Sequence, residues 1–420
     1  MLEPPVTPIR KANDGLELPA TGFGTYKVNG LAGVDAIKSA IHQGYRLIDS
    51  AFNYENEGVV GRAIRESGVP REDIIVTSKL PGRHHAHDEA LLTIEESVCR
   101  MGLDYIDLYL IHWPNPSQGQ FVEAWEALVE ARERGLVKHI GVSNFLPGHI
   151  DLLIRDTGVT PAVNQVELHP YFQQREQLAY DNAHGIITEA WSPLGRANQM
   201  LRDPDLKRIA AKHGISVVQA ILRWHLQYGD VAIPKSLNPE RQRQNLDLTA
   251  FELDDQDMAD IAPKVTPSAR TPIGTKKRDS SMQRPIMTSR SFLRTPSEAA
   301  GPGDEQVIED LVDTLEANRS RCVGMAANMI GVGKRIIVFV DEDLGGLITV
   351  MLNPVITASD GALDTQEGCL SLTGERRTLR YRRIEVNYEN RRFRARHATF
   401  AGWTAQIIQH EVDHCNGIII

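Results

Sequence analysis

Near its end the chain reads "QHEVDHCNGIII", in which His410, Glu411 and His414 have H-E-x-x-H spacing. On a helix the two imidazoles fall one turn apart on one face, so both reach a single metal ion. Glu411 is placed to take a proton from water at that ion. Such a site needs a third ligand and an open position before it can hydrolyse anything. Cys322, Cys369 and Cys415 are the thiol candidates. Cys415 follows His414 directly and faces another way, and spacing alone does not separate Cys322 from Cys369. The plain alternative for any one of them is a small buried apolar side chain.

A second set of residues lies far upstream: Asp49, Tyr54, Lys79 and His112. A tyrosine with an ordinary pKa of about 10 is a poor acid at neutral pH. A neighbouring Lys⁺ stabilises its phenolate and should lower that pKa. An Asp holds the Lys charged and in place, and a His hydrogen-bonds a substrate carbonyl. Together the four suit protonation of a carbonyl oxygen while hydride reaches the carbon from a nicotinamide that the protein positions.

The elements that must hold these groups are legible as apolar runs. They are "GFGTY", "RLIDSA", "DIIVTSKL", "YIDLYLIHW", "HIGVSNF", "AVNQVEL", "IITEAWSPL" and "VAIPKS". Between them stand stretches of helical periodicity such as "HDEALLTIEESVCRMG" and "QFVEAWEALVEARERG". Eight such units predict a (β/α)8 TIM barrel of about 250 residues. A doubly wound sheet is the rival, but "TGFGTY" lacks the third glycine of G-x-G-x-x-G. Barrel active sites lie at the C-terminal ends of strands. Those ends carry Asp49, Lys79, His112, Ser143 with Asn144, Gln165 and Glu167, Trp191 with Ser192, and Lys235 with Ser236; Tyr54 follows the second strand.

These motifs, with "LIDSAFNYENE", "DLYLIHWP", "NQVELHP" and "IPKS" followed by "ERQRQN", make residues 5–270 resemble the aldo-keto reductases. The likeness is to those acting on 2,5-diketo-D-gluconate and related carbonyls. It implies an NADPH-dependent reductase with Tyr54 as general acid, tuned by Lys79 and Asp49, and His112 orienting the carbonyl. It further implies that Ser143, Asn144 and Gln165 bind the carboxamide and that Trp191 stacks on the nicotinamide. Leu194, Lys235, Ser236, Arg241 and Asn245 would hold the phosphates and adenosine. Arg241 with Lys235 and Ser236 also suits a 2'-phosphate, which favours NADPH over NADH. Gln244 stands where the family usually has Glu. Phe52, Trp113 and Tyr26 are expected to wall the substrate pocket.

After "IAPKVTP" the composition changes to "SARTPIGTKKRDSSMQRP", an expected linker. The domains expected are 1–266, a linker over 267–284, and 285–420. The last begins with a helical stretch, "EQVIEDLVDTLEANRS", with apolar residues at Val307, Ile308, Leu311, Val312 and Leu315. Strand-like "RIIVFVD", "GLITVMLNPVIT" and "RRIEVNYE" follow, then the final helix. This is an α+β pattern, with strands and a helix packed on them.

The order "CVGMAANMIG", "EGCLS", "QHEVDHCNG" over residues 285–420 resembles the peptide deformylases. That resemblance makes Cys369, His410 and His414 the metal ligands and Glu411 the general acid/base. The backbone N–H of Leu370 would face the developing oxyanion. Fe²⁺ is the implied metal, with Zn²⁺ or Ni²⁺ tolerated, and the substrates are N-formyl-methionyl peptides, at the ribosome. The family's first motif carries Gln where this chain has Met329, and Pro where it has Asn328. A thioether cannot donate a hydrogen bond. Asn328 is the one neighbouring side chain that could. The chain also stops just after the metal helix, as the shorter deformylase types do.

At 420 residues and a net charge of -9, the composition gives no sign of a DNA partner. "MLEPPVTPIRKANDG" has no apolar core of a signal peptide, and no run is long enough for a membrane span. Four scattered cysteines fit a reducing cytoplasm. Three readings result. The first is a fusion of a reductase and a deformylase-like hydrolase. In the second the metal domain has lost turnover, and in the third the barrel is a scaffold, against which Asp49, Tyr54, Lys79 and His112 argue. The basic run "ERRTLRYRRIEVNYENRRFRARH" reads as a solvated sheet face before an RNA contact.

Overall fold

In the computed structural model, which describes residues 7–195, 200–261, 283–319, 321–341, 344 and 346–419, the upstream apolar runs lie side by side as strands. The chain divides into two units, residues 1–115 with 120–274, and 116–119 with 275–420. The expected linker falls outside the described residues except for Gln283 and Arg284.

The first unit opens with an antiparallel pair, β1 (Ile9–Lys11) and β2 (Glu17–Pro19). Eight parallel strands follow in sequential order: β3 (Phe23–Gly24), β4 (Leu47–Asp49), β5 (Ile75–Leu80), β6 (Ile106–Ile111), β7 (Val137–Ser143), β8 (Val163–Glu167), β9 (Ile187–Trp191) and β10 (Val231–Ala232). A parallel bridge between Thr21 and Ala232, and a bond from Gly24 N–H to Pro234 C=O at 3.1 Å, join the first strand to the last. The sheet thus closes as a barrel. All of β6 is buried, as expected where side chains fill the interior and helices cover the outside. The β1–β2 hairpin closes the interior from below: Ala12, Leu16 and Leu18 pack with Leu47, Leu108, Leu110, Val163, Ile187 and Val231. Its turn runs through Asp14–Gly15, with Gly15 at φ 91°, where glycine carries no Cβ penalty.

Helices follow from the sequence in the ordinary way. His87–Met101 has Asp88 and Glu89 in its first turn, buries Ala90, Leu91, Ile94, Ser97 and Met101, and ends at left-handed Gly102.

The second unit is one antiparallel sheet in the order β11 (Gly324–Ala326), β12 (Ile336–Asp341), β13 (Leu347–Cys369), β14 (Leu372–Glu389), β15 (Ala395–Ala401). It carries a helix on each face rather than on one. Ile308, Leu311, Val312 and Leu315 of helix Glu305–Asn318 pack with Ile336, Val338 and Val340. Ile407, Ile408, Val412 and Cys415 of helix Gly402–Cys415 pack with Ile337 and Phe339. The alternation along β12 decides which residue meets which helix, and both faces being covered leaves all of it buried. β13 and β14 extend well past the runs read as strands. They pair from Leu352–Glu389 to Cys369–Leu372, with register shifts that include one between Gly368 and Cys369. Among the described residues no helix is long and apolar enough to cross a membrane.

Candidate active sites

The strand ends of the barrel converge as the spacing predicts. Asp49 ends β4, and Tyr54 lies in the short turn Phe52–Tyr54 just after it. Lys79 is in β5, His112 follows β6, Ser143 ends β7, Gln165 is in β8 and Trp191 ends β9. A cavity of about 890 Å³ opens above them. Tyr54, His112, Asn144, Gln165, Trp191 and Lys235 are among its lining residues. Leu194 and Ser192 line it too, while Glu167, Ser236, Arg241 and Asn245 lie outside that lining. Arg241 is exposed in the first turn of helix Pro239–Leu246, and Asn245 is buried beside Tyr45. Tyr26 and Trp113 wall the cavity as expected; Phe52 does not. Phe52 is buried against His84, with Arg100 over its ring at 4.1 Å.

Lys79 is fully buried beneath this cavity. Its Nζ lies 2.6 Å from Asp49 Oδ1 and donates to Ser50 C=O at 2.7 Å. Those partners help keep a buried ammonium charged: burial is the largest influence and pulls its pKa down, but Asp49, Tyr54 and Glu189 together outweigh it and the net direction is upward. Nζ stands 5.1 Å from the Tyr54 ring centroid, and the His112 ring stands 5.9 Å from it, edge on. Tyr54 departs from expectation. Burial is the largest influence on it and exceeds the opposing pull of Lys79, so its pKa is raised above 10.0, not lowered. His112 is pushed down to about 3 by burial and by Lys79, so its imidazole is neutral.

A chain of hydrogen bonds runs round the rim. Trp191 Nε1 donates to Asn144 Oδ1 at 2.9 Å, and Asn144 Nδ2 donates to His112 C=O and Ser143 Oγ at 3.0 Å each. Ser143 Oγ donates to Gln165 C=O at 2.8 Å. Asn144 adopts a left-handed φ of 63°, a conformation Asn tolerates better than most residues. Sequence reasoning missed Glu189, which lies fully buried in β9 and accepts from Gln165 Nε2 at 3.0 Å. A charged residue inside the run "IITEAW" was the signal.

In the second unit, Cys369, His410 and His414 bring their ligand atoms within 4.8 Å of one another, the group among the described residues that suits a metal ion. Cys369 sits where β13 turns into β14, beside the register shift that re-aims it, and its Sγ lies 3.2 Å from His414 Nε2. Of the other two thiols, Cys415 packs in the apolar cluster under the sheet. Cys322 lines a cavity that Cys369 and His410 also line, but its thiol donates to Gly324 C=O at 2.9 Å. His410 Nδ1 meets Glu367 Oε2 at 2.8 Å, which leaves Nε2 for an ion. Arg380 grips both Glu367 oxygens at 2.9 and 2.8 Å and reaches Asp413 at 2.6 Å. Burial alone would raise the Glu367 carboxyl, but His410 and Arg380 hold it at about 2. One thiolate and two imidazoles suit a borderline divalent ion. Glu367→Gln removes the charge behind His410 and is expected to weaken metal retention about 10–100-fold, read by chelator competition.

Glu411 is buried beside these ligands and pushed up to about 7, chiefly by burial. Its Oε1 crowds Gly324: a Cβ there would lie 2.6 Å from that oxygen and 2.5 Å from Ile407 Cγ2. Gly324→Ala is expected to lower the stability of this unit by about 1–3 kcal/mol in urea unfolding, through overpacking. Met329 and Leu370 line the cavity of about 280 Å³. Asn328 does not replace the missing donor: it lies outside the lining of that cavity, and its Nδ2 donates to His414 C=O at 2.7 Å. Met329 Sδ accepts from Ala326 N–H at 3.5 Å.

Two family models match the chain: Aldo/keto reductase family over residues 22–265, and Polypeptide deformylase over residues 283–420. The first unit is 51% identical over 249 residues to 2,5-diketo-D-gluconic acid reductase B of Corynebacterium sp., spanning 59% of this chain and 90% of that protein. It is 43% identical over 254 residues to methylglyoxal reductase DkgA of Escherichia coli K12, spanning 60% and 91%. Among solved structures, an aldo/keto reductase from Brucella melitensis matches with TM-score 0.59 and 46% identity over 61% of this chain and 98% of that one. A Gox0644 mutant in complex with NADPH matches with TM-score 0.60 and 40% identity over 63% and 96%. The polypeptide therefore joins an oxidoreductase domain to a domain that matches the polypeptide deformylase model. With the first family's model covering more than half of its 420 residues, the chain belongs to the aldo/keto reductase family.

Proposed function

We propose that the barrel reduces small aldehydes and ketones with NADPH, dicarbonyls of the 2,5-diketo-D-gluconate and methylglyoxal kind foremost. The observation that carries this is Tyr54 at the cavity, over a fully buried Lys79–Asp49 pair and beside neutral His112. NADPH, when bound, supplies hydride to the carbonyl carbon. Tyr54 gives its hydroxyl proton to the carbonyl oxygen, and the Lys79 ammonium offsets the negative charge left behind. Asp49 keeps Lys79 charged, and neutral His112 orients the carbonyl. Ser143, Asn144 and Gln165 receive the carboxamide and Trp191 stacks on the ring. Leu194, Lys235, Ser236, Arg241 and Asn245 hold the phosphates and adenosine. Consumption of NADPH with methylglyoxal tests the reading; a protein that binds NADPH yet reduces no dicarbonyl would sink it.

For the second unit we propose that Cys369, His410 and His414 hold a divalent metal, Fe²⁺ foremost and Zn²⁺ or Ni²⁺ otherwise. The ion would supply Lewis-acid chemistry for hydrolysis of N-formyl-methionyl peptides. Glu411 moves the proton, and the Leu370 N–H faces the carbonyl oxygen that gains charge. A second reading, metal retention without deformylase turnover, is favoured by the donors at the cavity: Met329 lines it and cannot donate, and Asn328 lies outside its lining. Formate release from formyl-Met-Ala by Fe²⁺-loaded protein separates the two.

A further inference from the structure

Glu189 takes no part in the steps above, yet it stands at the centre of the barrel. It lies in β9, two residues before Trp191, and pairs in register with Gln165 of β8. Gln165 Nε2 donates to Glu189 Oε2 at 3.0 Å and to Asp49 Oδ1 at 2.8 Å. An amide nitrogen carries two hydrogens, and these two oxygens take both. Turning the amide over would set its oxygen against the Asp49 carboxylate and would take from its second N–H the oxygen that Glu189 offers. The Gln165 amide is therefore held with Nε2 inward, and Oε1 is the polar atom left for the cavity that Gln165 lines.

The charges around it support a neutral Glu189. Two carboxyls, Asp49 and Glu189, share this buried place with one ammonium, Lys79. Asp49 pairs with Lys79 at 2.6 Å. Glu189 Oε1 is buried without a hydrogen-bond partner, a far costlier state for a charged carboxylate than for a protonated one. Burial, followed by the nearby Asp49 charge, pushes its carboxyl up to about 8. A neutral carboxyl still offers an oxygen to Gln165.

We propose that Glu189 is a positioning residue of the reductase, one that locks the Gln165 amide with its oxygen toward the cavity to accept from the amino group of the nicotinamide carboxamide. The proposal rests on the NADPH reading above. It acts through Gln165 and touches neither cofactor nor substrate.

The test compares Glu189→Met, Glu189→Ala and Glu189→Gln, with Gln165→Leu and the double variant, by NADPH titration and by kcat and KM for methylglyoxal. Either folded apolar variant should bind NADPH about tenfold more weakly, since Gln165 loses a partner and its orientation. Glu189→Gln keeps an accepting oxygen and should hold NADPH affinity within about threefold. The double variant should bind no more weakly than Gln165→Leu alone. Unchanged affinity in both apolar variants overturns the proposal, and so do multiplied losses in the double variant. A Glu189→Gln loss as large as the apolar ones overturns it as well, because that would mean a role through charge. Wild-type protein that binds no NADPH removes the cofactor reading itself, an outcome distinct from the other three.

Discussion

Tyr54→Phe is expected to lower the turnover of NADPH-dependent carbonyl reduction by about 10²–10⁴, with NADPH affinity retained. The substitution deletes one oxygen and keeps the ring, so the edge contacts with Tyr26 and His112 stay. What goes is the proton held over Lys79. His112 does not substitute for it, because an imidazole pushed down to about 3 holds no extra proton to give at neutral pH. The raised Tyr54 pKa keeps its hydroxyl protonated throughout the neutral range, and acid function is lost only as pH rises through that raised value. Wild-type turnover should therefore show no step near neutrality from either group. Loss of nicotinamide absorbance with methylglyoxal measures the rate. Turnover unchanged in the variant would mean that another group is the acid.

Met329→Gln is expected to raise formate release from formyl-Met-Ala by about 10²–10³ at equal metal content. The argument is one of donors. Met329 is buried at the cavity, and its sulfur already accepts from Ala326 N–H. A glutamine there can keep that acceptance through its amide oxygen and turn N–H toward the carbonyl oxygen that gains charge. Removing one such donor costs that much in other hydrolases, so restoring one should recover a similar factor. Wild-type protein that already turns over at the variant's rate would end the lost-donor account. So would a loaded variant that releases formate no faster.

The barrel was legible because each strand is short, apolar and bounded. The eight runs all became strands, and most of the polar residues at their ends line one cavity, with Lys79, Glu167 and Ser236 outside its lining. The floor hairpin was not read, although Asp14–Gly15 is a turn signal, because its strands are only three residues each. Glu189 was overlooked for a different cause: its charge stands out in the apolar run, but a buried parallel strand has no alternation to say which side chains face the interior. In the second unit, the middle of the β13–β14 hairpin runs through "ASDGALDTQ", which has little apolar signal and is held mainly by its own cross-strand pairs. Spacing left Cys322 and Cys369 equal. The turn that brings Cys369 to His414 separates them, and that turn is long-range information no local pattern carries. The upward direction for Tyr54 had the same origin, since burial depends on everything packed around a residue.

The place of Cys369 has a mechanical consequence. It stands at the far end of a two-stranded ribbon, and such ribbons are marginal by themselves in water. His410 and His414 belong to a helix packed on the main sheet. An ion shared among the three would tether the ribbon's tip to the rigid body of the unit, closing a loop between residues 369 and 410 as a cross-link does. The same ion would then act as a fastener beside the Glu367–His410 and Arg380–Asp413 contacts, and taking it away would loosen the strand that carries its own sulfur ligand.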